Sequence, residues 1–458
     1  MTTSNPLASP KWQDNFATLA RGLGAVVICP EDYRYDEARL LYNRMHDLRP
    51  AFIVRTGDAN GIAALVAFAN THGVEIAVRG GGHHIAGFGS CDDGIVIDFS
   101  TFRSVRVNAH ARTVRIDPGA RLSDVDEELA RHGLVIPTGT VSSTGLAGLT
   151  FGGGIGWLVG RFGLTCDHLI GADVVLASGE IVRAEDHPDL LWGMRGGGGN
   201  FGVVTNLRFR AQEMPNFVAG AASIDRSHLR SVLSRLIAYM DEGCPPALTI
   251  APTMTASPNG PSLSVDFCLV GDNRRPLEEL RRVVGDADWS LREDGDFPGW
   301  QAGMDHLFEP PMRGYWKSRY STAVSDEDIK AIVEAISMAP DMRCIVTLEH
   351  LHGEFRREPM GRSAFPLRHA KFGVLVAARW PDAAHDDIAK AWVRKALNAI
   401  DPQGNSAAYS NYSDRDDLRC FTSLRPEDRV RLVDVKRRYD PTNLFRRNHN
   451  IAPRLELL

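Results

Sequence analysis

The sequence predicts an α+β protein in two parts, the second an antiparallel sheet covered by helices on one face. Three observations lead there. The chain has 458 residues, enough for two or three domains at roughly 100–200 residues each. Up to about residue 213 short strands outnumber helices, whereas after Met214-Pro215 long amphipathic helices alternate with long strands. Glycine is unevenly spread: segments 79–90, 139–163 and 193–202 hold 20 of the 43.

Taken in order, residues 10–48 read as a helix and a loop preceding the main fold. Short strands are expected at 51–55, 74–80, 94–100, 104–108 and 112–117, with a turn at Asn108-Ala109-His110-Ala111. Helical spacing marks Ile62 to His72 and Leu122 to His132. Val174 to Ala177, Ser178-Gly179 and Glu180 to Arg183 form a hairpin signal. In the second part, helices are expected at 226–243, 274–285, 325–338 and 383–400. The strands between them are expected at 247–256, 262–270, 344–352 and 369–379. The tail 440–451 is polar and Asn-rich and does not read as a frayed terminus.

Composition excludes several classes. Hydrophobic residues are 43% and charged residues 24%, ordinary for a globular protein. The net charge is −5 and the pI about 6.3, with no Lys/Arg stripe, so no nucleic-acid partner is expected. No run approaches the roughly 20 apolar residues that cross a bilayer, and residues 1–15 lack a secretory pattern. Seven cysteines without a CxxC pair argue against a disulfide framework and a zinc ribbon. A cytoplasmic location and no metal are expected.

The glycine runs point to an anion. Arg79-Gly80-Gly81-Gly82-His83-His84 follows the apolar run Val74 to Val78. Several N–H groups there can turn toward one phosphate or pyrophosphate; the bland alternative is three flexible loops. No GxxxxGK[ST] occurs. The GxGxxG match at Gly197, Gly199 and Gly202 precedes a strand-like run, Val203 to Phe209, where a dinucleotide fingerprint needs a helix.

Six pieces in order resemble the flavoprotein superfamily of vanillyl-alcohol oxidase and p-cresol methylhydroxylase. They are Arg79-Gly-Gly-Gly-His83, Gly139-Thr-Val-Ser-Ser-Thr-Gly145, Gly148-Leu-Thr-Phe-Gly-Gly-Gly154, Arg195-Gly-Gly-Gly-Gly-Asn-Phe-Gly-Val203, Tyr409-Ser-Asn-Tyr412 and the 440–451 tail. Within that superfamily the chain looks like the berberine-bridge-enzyme-like oxidases, near the bacterial hydroxynicotine-oxidase-like members. The resemblance implies a two-part FAD-binding domain, 1–213 with a returning segment 431–458, and a substrate-binding domain, 214–430. It assigns FAD contacts to Val78, Arg79, Gly80, Gly81, Gly82, His83, His84, Gly87 and Ser90 in the first run. In the second it assigns Pro137, Thr138, Gly139, Val141, Thr144, Gly145, Gly148, Leu149 and Gly153. Gly202, Val203, Tyr412, Asn448 and Asn450 complete the set.

The family's RxGGH histidine is bonded to the flavin's 8-methyl carbon, and His83 holds that position. A loop histidine is the plain alternative; a metal ligand is disfavoured, since adjacent histidines rarely converge on one ion. Relatives with a second link use a Cys where this chain has Val141, so one covalent bond through one histidine is expected. Cys91 and Cys166 read as plain buried thiols. Thr144 could meet flavin N5 or a bound peroxide, or simply cap a turn.

A flavin oxidase holds a C–H over flavin N5 and supplies a base. Tyr412 is the first candidate; an ordinary Tyr is a poor base near neutrality and would need nearby positive charge. A structural Tyr is its alternative. Leu348, His350 and His352 alternate onto one strand face, so His350 or His352 could act as base if that face meets the flavin; buried, satisfied histidines are the alternative. Arg313 to Tyr320 could line an aromatic or anionic pocket or be a packing strand. The function implied is an FAD-dependent oxidase acting on a small alcohol, amine or secondary metabolite, with oxygen as acceptor and peroxide as product. An oxygenase or oxidative cyclase, a dehydrogenase with another acceptor, and a flavin-binding protein without catalysis stay open.

Overall fold

The computed structural model describes residues 12–257, 260–309, 312–357 and 362–454. Its first part holds two larger sheets and a two-stranded pairing of Leu134–Val135 with Gln212–Glu213. One has strands Val26–Ile28, Phe52–Arg55, Ile95–Asp98 and Ile76–Arg79 in that spatial order, parallel except for the first pair. The other is antiparallel: Val105–Asn108, Thr113–Ile116, Val203–Arg210, Leu169–Val175 and Ile181–Arg183. Strand Val26–Ile28 corrects the expected plain loop; three residues are too few for an alternation to register. Helix Ala59–His72 starts where Asp58 accepts from the Gly61 N–H and stops at Gly73, whose φ of 64° ends the turn cheaply.

The second part is a seven-stranded antiparallel sheet. Its order is Asp288–Arg292, Phe217–Ile224, Ser262–Val270, Leu248–Thr255, Arg343–His350, Phe372–Trp380 and Arg313–Ser321. Four helices cover one face: Leu229–Glu242, Arg275–Val284, Asp326–Ser337 and Asp386–Ile400. Ser325 and Asp328 close a capping box on the third. The α+β class and the helix-covered sheet are borne out. Strands Phe217–Ile224 and Asp288–Arg292 are additional to those expected.

Period two decides what each face of this sheet does. Cys344, Val346, Leu348, Val374, Val376 and Ala378 pack with the helices in one apolar core. Ile345, Leu375, Ala377 and Trp316 point the other way, toward Ile85 and Phe308. That second face closes over the glycine-rich part, and a cavity lies between them.

The chain returns to the first part before its end. Ala408, Cys420, Phe421 and Leu424 already share a core with Leu146, Trp192 and Phe209. Helix Pro426–Tyr439 then anchors the tail. Lys436, fully buried, donates to Asp440 at 2.6 Å, to the Asn200 carbonyl at 2.8 Å and to the Phe445 carbonyl at 2.9 Å. Asn200 in turn accepts from the Ile451 N–H and donates to the His449 carbonyl. Among the described residues no helix is long and apolar enough to cross a membrane.

Candidate active site

The three glycine runs meet at one cavity of about 280 Å³. Strand Ile76–Arg79 delivers the first run to it. A Cβ on Gly81 would collide with the backbone of Gly145, so the first and second runs touch main chain to main chain. Arg79 is fixed behind this floor by Asp98, 2.9 Å away and fully buried.

The tail and the segment Tyr409 to Tyr412 clasp the runs. The Ser410 carbonyl accepts from His84 Nε2 and from His449 Nε2, each at 3.1 Å. Asn411 donates to the Leu149 carbonyl at 3.1 Å and to the Tyr409 hydroxyl at 2.8 Å. Tyr409 accepts from the Gly154 N–H at 2.9 Å.

His83 lines the cavity and stacks on Tyr42, with ring centroids 3.7 Å apart and planes 19° from parallel. Its Nε2 lies 3.2 Å from Ser143 Oγ. Burial, with help from the Arg379 charge, pushes its pKa down to about 3, so the ring is neutral and keeps a lone pair. His84 falls to about 3 as well, chiefly through burial.

The opposite wall carries a buried phenol–carboxylate cluster. The Tyr412 hydroxyl donates to Glu349 Oε1 at 2.9 Å, and the Tyr320 hydroxyl donates to the other oxygen. Glu349 sits deep enough that burial, its largest influence, raises the carboxyl, although both phenols lower it. Tyr412 rises well above 10, again chiefly through burial and next through Glu349. The positive charge that a lone Tyr base would need is thus replaced by a carboxylate that can take the phenol's proton. Room for Glu349 comes from Gly373, its partner across the strands; a Cβ there would sit 2.8 Å from Glu349 Oε2 and 2.8 Å from a Tyr320 ring carbon.

Most of the expected residues line this cavity: Val78 through His84, Gly139, Val141, Thr144, Gly145, Gly148, Leu149, Gly202, Tyr412 and Asn448. Thr144 is also a turn residue, its N–H on the Val141 carbonyl and its carbonyl on the Leu122 N–H. Others are placed elsewhere. Gly87 packs on His46, and Ser90 is buried with its carbonyl on Arg447. The Pro137 carbonyl takes the Thr165 hydroxyl, and Thr138 bonds with Asp126 and Gln301. Gly153 packs against Phe365, Val203 is in the core with Trp12 and Phe52, and Asn450 is exposed. His350 as catalytic base is corrected: it shares the helix-facing parity of Val346 and Leu348, packs on Phe372 and does not reach the cavity. The residue of opposite parity, Glu349, is the one on the cavity side, where it bonds to the wall residue Tyr412. Phe308, Leu375 and His449 on the cavity wall, Tyr42 stacked on His83 and Glu349 bonded to Tyr412 are positions the sequence reading misses. Strand Arg313–Ser321 carries Trp316 into the wall, so this segment is both packing strand and lining.

The residues fit a flavin dinucleotide. Gly148 and Gly199 line the cavity with open space where a Cβ would be. Arg79 Nη1, Arg447 Nε and Asn448 Oδ1 border it, buried and without a hydrogen-bond partner among the described residues. Such atoms call for a partner that the protein does not supply.

A glycine-backbone floor facing a Tyr–carboxylate pair defines the class as an FAD-dependent oxidoreductase, and family matches agree. Residues 50–185 match the "FAD binding domain" family and 408–452 the "Berberine and berberine like" family. These two matched domains are those of a berberine-bridge-enzyme-like flavoprotein of the vanillyl-alcohol oxidase type. It is similar to (R)-6-hydroxynicotine oxidase of Paenarthrobacter nicotinovorans, 29% identical over 453 residues covering 93% of this chain and 96% of that one. The crystal structure of 6-hydroxy-D-nicotine oxidase from Arthrobacter nicotinovorans is 28% identical with a TM-score of 0.83, covering 94% of this chain and 98% of that one. A chitooligosaccharide oxidase structure, 24% identical with a TM-score of 0.85, shares the fold over 96% of this chain and 99% of that one.

Proposed function

We propose that this flavoprotein is an oxidase that takes two electrons from a small, neutral, ring-bearing alcohol or amine of secondary-metabolite type. Oxygen is the acceptor and hydrogen peroxide the product. The observation that carries this reading is the Tyr412–Glu349 pair at the wall of a cavity whose lining near Tyr412 includes the apolar side chains of Val141, Phe308, Trp316 and Leu375. Bound FAD would supply the two-electron acceptor. Tyr412 would take the substrate's O–H or N–H proton as its own passes to Glu349, so the phenol never needs to stand ionised near neutrality. Trp316 Nε1, buried and without a partner among the described residues, would donate to a substrate acceptor. The charged side chains lining the cavity, Arg79 and Arg447, belong to the glycine-rich part and the tail, which favours an uncharged substrate.

His83 is proposed as the tether to the flavin, supported by its neutral ring and its place on the cavity wall. Acid-precipitated protein is expected to stay yellow, and acid-precipitated His83→Ala to leave its colour in the supernatant. A colourless pellet from the unaltered protein would refute the tether. Val141 offers no sulfur for a second bond at its position.

Peroxide release should be screened against aryl alcohols, heteroaryl amines, oligosaccharides and anionic acids. Turnover of the first two groups only is the expected result. Flavin bleaching that air does not reverse would point to another acceptor, and labelled oxygen appearing in the product would point to an oxygenase.

Gly373→Ala tests the pair from behind. Its Cβ should push Glu349 off Tyr412, and a displacement of about 1 Å can cost on the order of 100-fold in rate. Stopped-flow flavin reduction at unchanged flavin content should show that loss. An unchanged rate would separate Glu349 from the chemistry.

A further inference from the structure

One cluster of chemically capable side chains lies away from the cavity. His350 ends strand Arg343–His350, and His352 follows two residues on. Cys244 arrives from the turn between helix Leu229–Glu242 and strand Leu248–Thr255. The Cys244 sulfur and one ring nitrogen from each histidine all lie within 4.8 Å of one another. His350 is 3% exposed and His352 8%. Nδ1 of His350 and both ring nitrogens of His352 are buried with no hydrogen-bond partner among the described residues. Interiors rarely leave such nitrogens bare, and three in one place need an explanation. A space of about 290 Å³ opens beside them, bordered also by Asp241, Glu242, Arg356 and Lys371.

We propose that Cys244, His350 and His352 bind one divalent transition-metal ion, of the zinc class, with a water from the adjoining space as fourth ligand. One thiolate and two imidazoles make a donor set that suits zinc and disfavours magnesium or calcium. A neutral imidazole binds such an ion through a ring-nitrogen lone pair, and each histidine brings a buried ring nitrogen within 4.8 Å of the Cys244 sulfur. Burial pushes the Cys244 thiol up, so it holds its proton until an ion displaces that proton to solvent. Lys371 is paired with Asp241, which offsets one of the two positive charges bordering the space.

The geometry requires a small closing motion. Zinc bonds of about 2.0–2.3 Å place ligand atoms roughly 3.3–3.8 Å apart, so the three donors must draw in by about 1 Å. The rings lie face to face, 3.8 Å between centroids and 12° from parallel, so one of them must turn to aim a nitrogen at the ion. The adjoining space gives room for that turn. A bound ion would join the end of a helix to the end of a strand. It would also stiffen His352 where that residue packs on Gly160 of the glycine-rich part, since a Cβ on Gly160 would lie 2.6 Å from His352 Nε2.

The test uses flavin-loaded protein, treated with EDTA and desalted, then titrated with cobalt(II) chloride. The expected result is saturation at one ion per chain, with the intense red-side absorption of tetrahedral cobalt and its loss on adding zinc chloride. Cys244→Ser and His352→Gln are each expected to weaken cobalt binding at least tenfold, with flavin content unchanged as the report of correct folding. No saturable binding, or equal binding in the variants, would overturn the site. Should a variant lose its flavin, peptide mapping of the unaltered protein decides. Zinc is then expected to slow alkylation of Cys244 at least tenfold, and unslowed alkylation would overturn the proposal.

Discussion

Tyr412→Phe is expected to lower kcat by about 100- to 10,000-fold, with KM and flavin content nearly unchanged. The phenyl ring keeps its contacts with Trp316 and Tyr409, so only the hydroxyl that faces Glu349 is lost. Glu349→Gln should lose a comparable factor, because the amide cannot take the phenol's proton. The pH profile separates base chemistry from mere packing. Glu349 works only when ionised, and its pKa is raised. The rate of the unaltered enzyme should therefore fall as pH drops through that raised value, and the acid limb should vanish in Glu349→Gln. Stability should move the other way. A carboxyl with a raised folded-state pKa contributes fully below its unfolded pKa and loses that contribution as pH rises through the folded one. The unaltered protein should thus lose stability relative to Glu349→Gln over that window. A Tyr412→Phe enzyme within threefold of the original rate would remove the pair from the mechanism.

The second large effect is structural. Lys436→Met is expected to destabilise the protein by about 3–5 kcal/mol, the usual loss when one partner of a buried ion pair is removed. Lys436 and Asp440 are both fully buried, and Asp440 also accepts from the Leu444 and Phe445 N–H groups at 2.8 and 2.9 Å. The orphaned carboxylate should loosen the tail that brings Arg447, Asn448 and His449 to the cavity. Urea titration followed by flavin fluorescence measures this, with the unfolding transition expected at markedly lower urea. Lys436→Met combined with Asp440→Asn should recover part of the loss, since the amide carries no charge and its one oxygen still accepts one of the two N–H groups. Equal losses in the single and double variants would mean that lost packing, not a stranded charge, sets the effect.

The floor of the site was legible because close backbone approach excludes Cβ and so leaves a compositional trace. Gly81 against Gly145 is such a place. His83 and Tyr412 were reachable through their motifs. Glu349 was not: its two phenol partners stand 29 and 63 residues away, and nothing local marks a carboxylate on a strand as functional. Alternation did show that Leu348, His350 and His352 share a side, but period two cannot say which side faces the cofactor. That depends on which face the helices cover, a tertiary fact. The meeting of Cys244 with His350 escaped for the same reason: they are about a hundred residues apart and come together only where a helix end abuts a strand end. The short strand Val26–Ile28 carries too few residues for any periodic signal.

The seven-stranded sheet separates two kinds of selection along the same stretches of chain. On strands Arg343–His350 and Phe372–Trp380, even-numbered positions such as Val346 and Val376 answer to the helices, and odd-numbered ones such as Ile345 and Leu375 lie on the face turned toward the glycine-rich part. Exchanges at odd positions can reshape what the enzyme accepts while the packing beneath stays as it was. A lineage drifting through substrates can thus edit every second letter and keep a foldable molecule throughout.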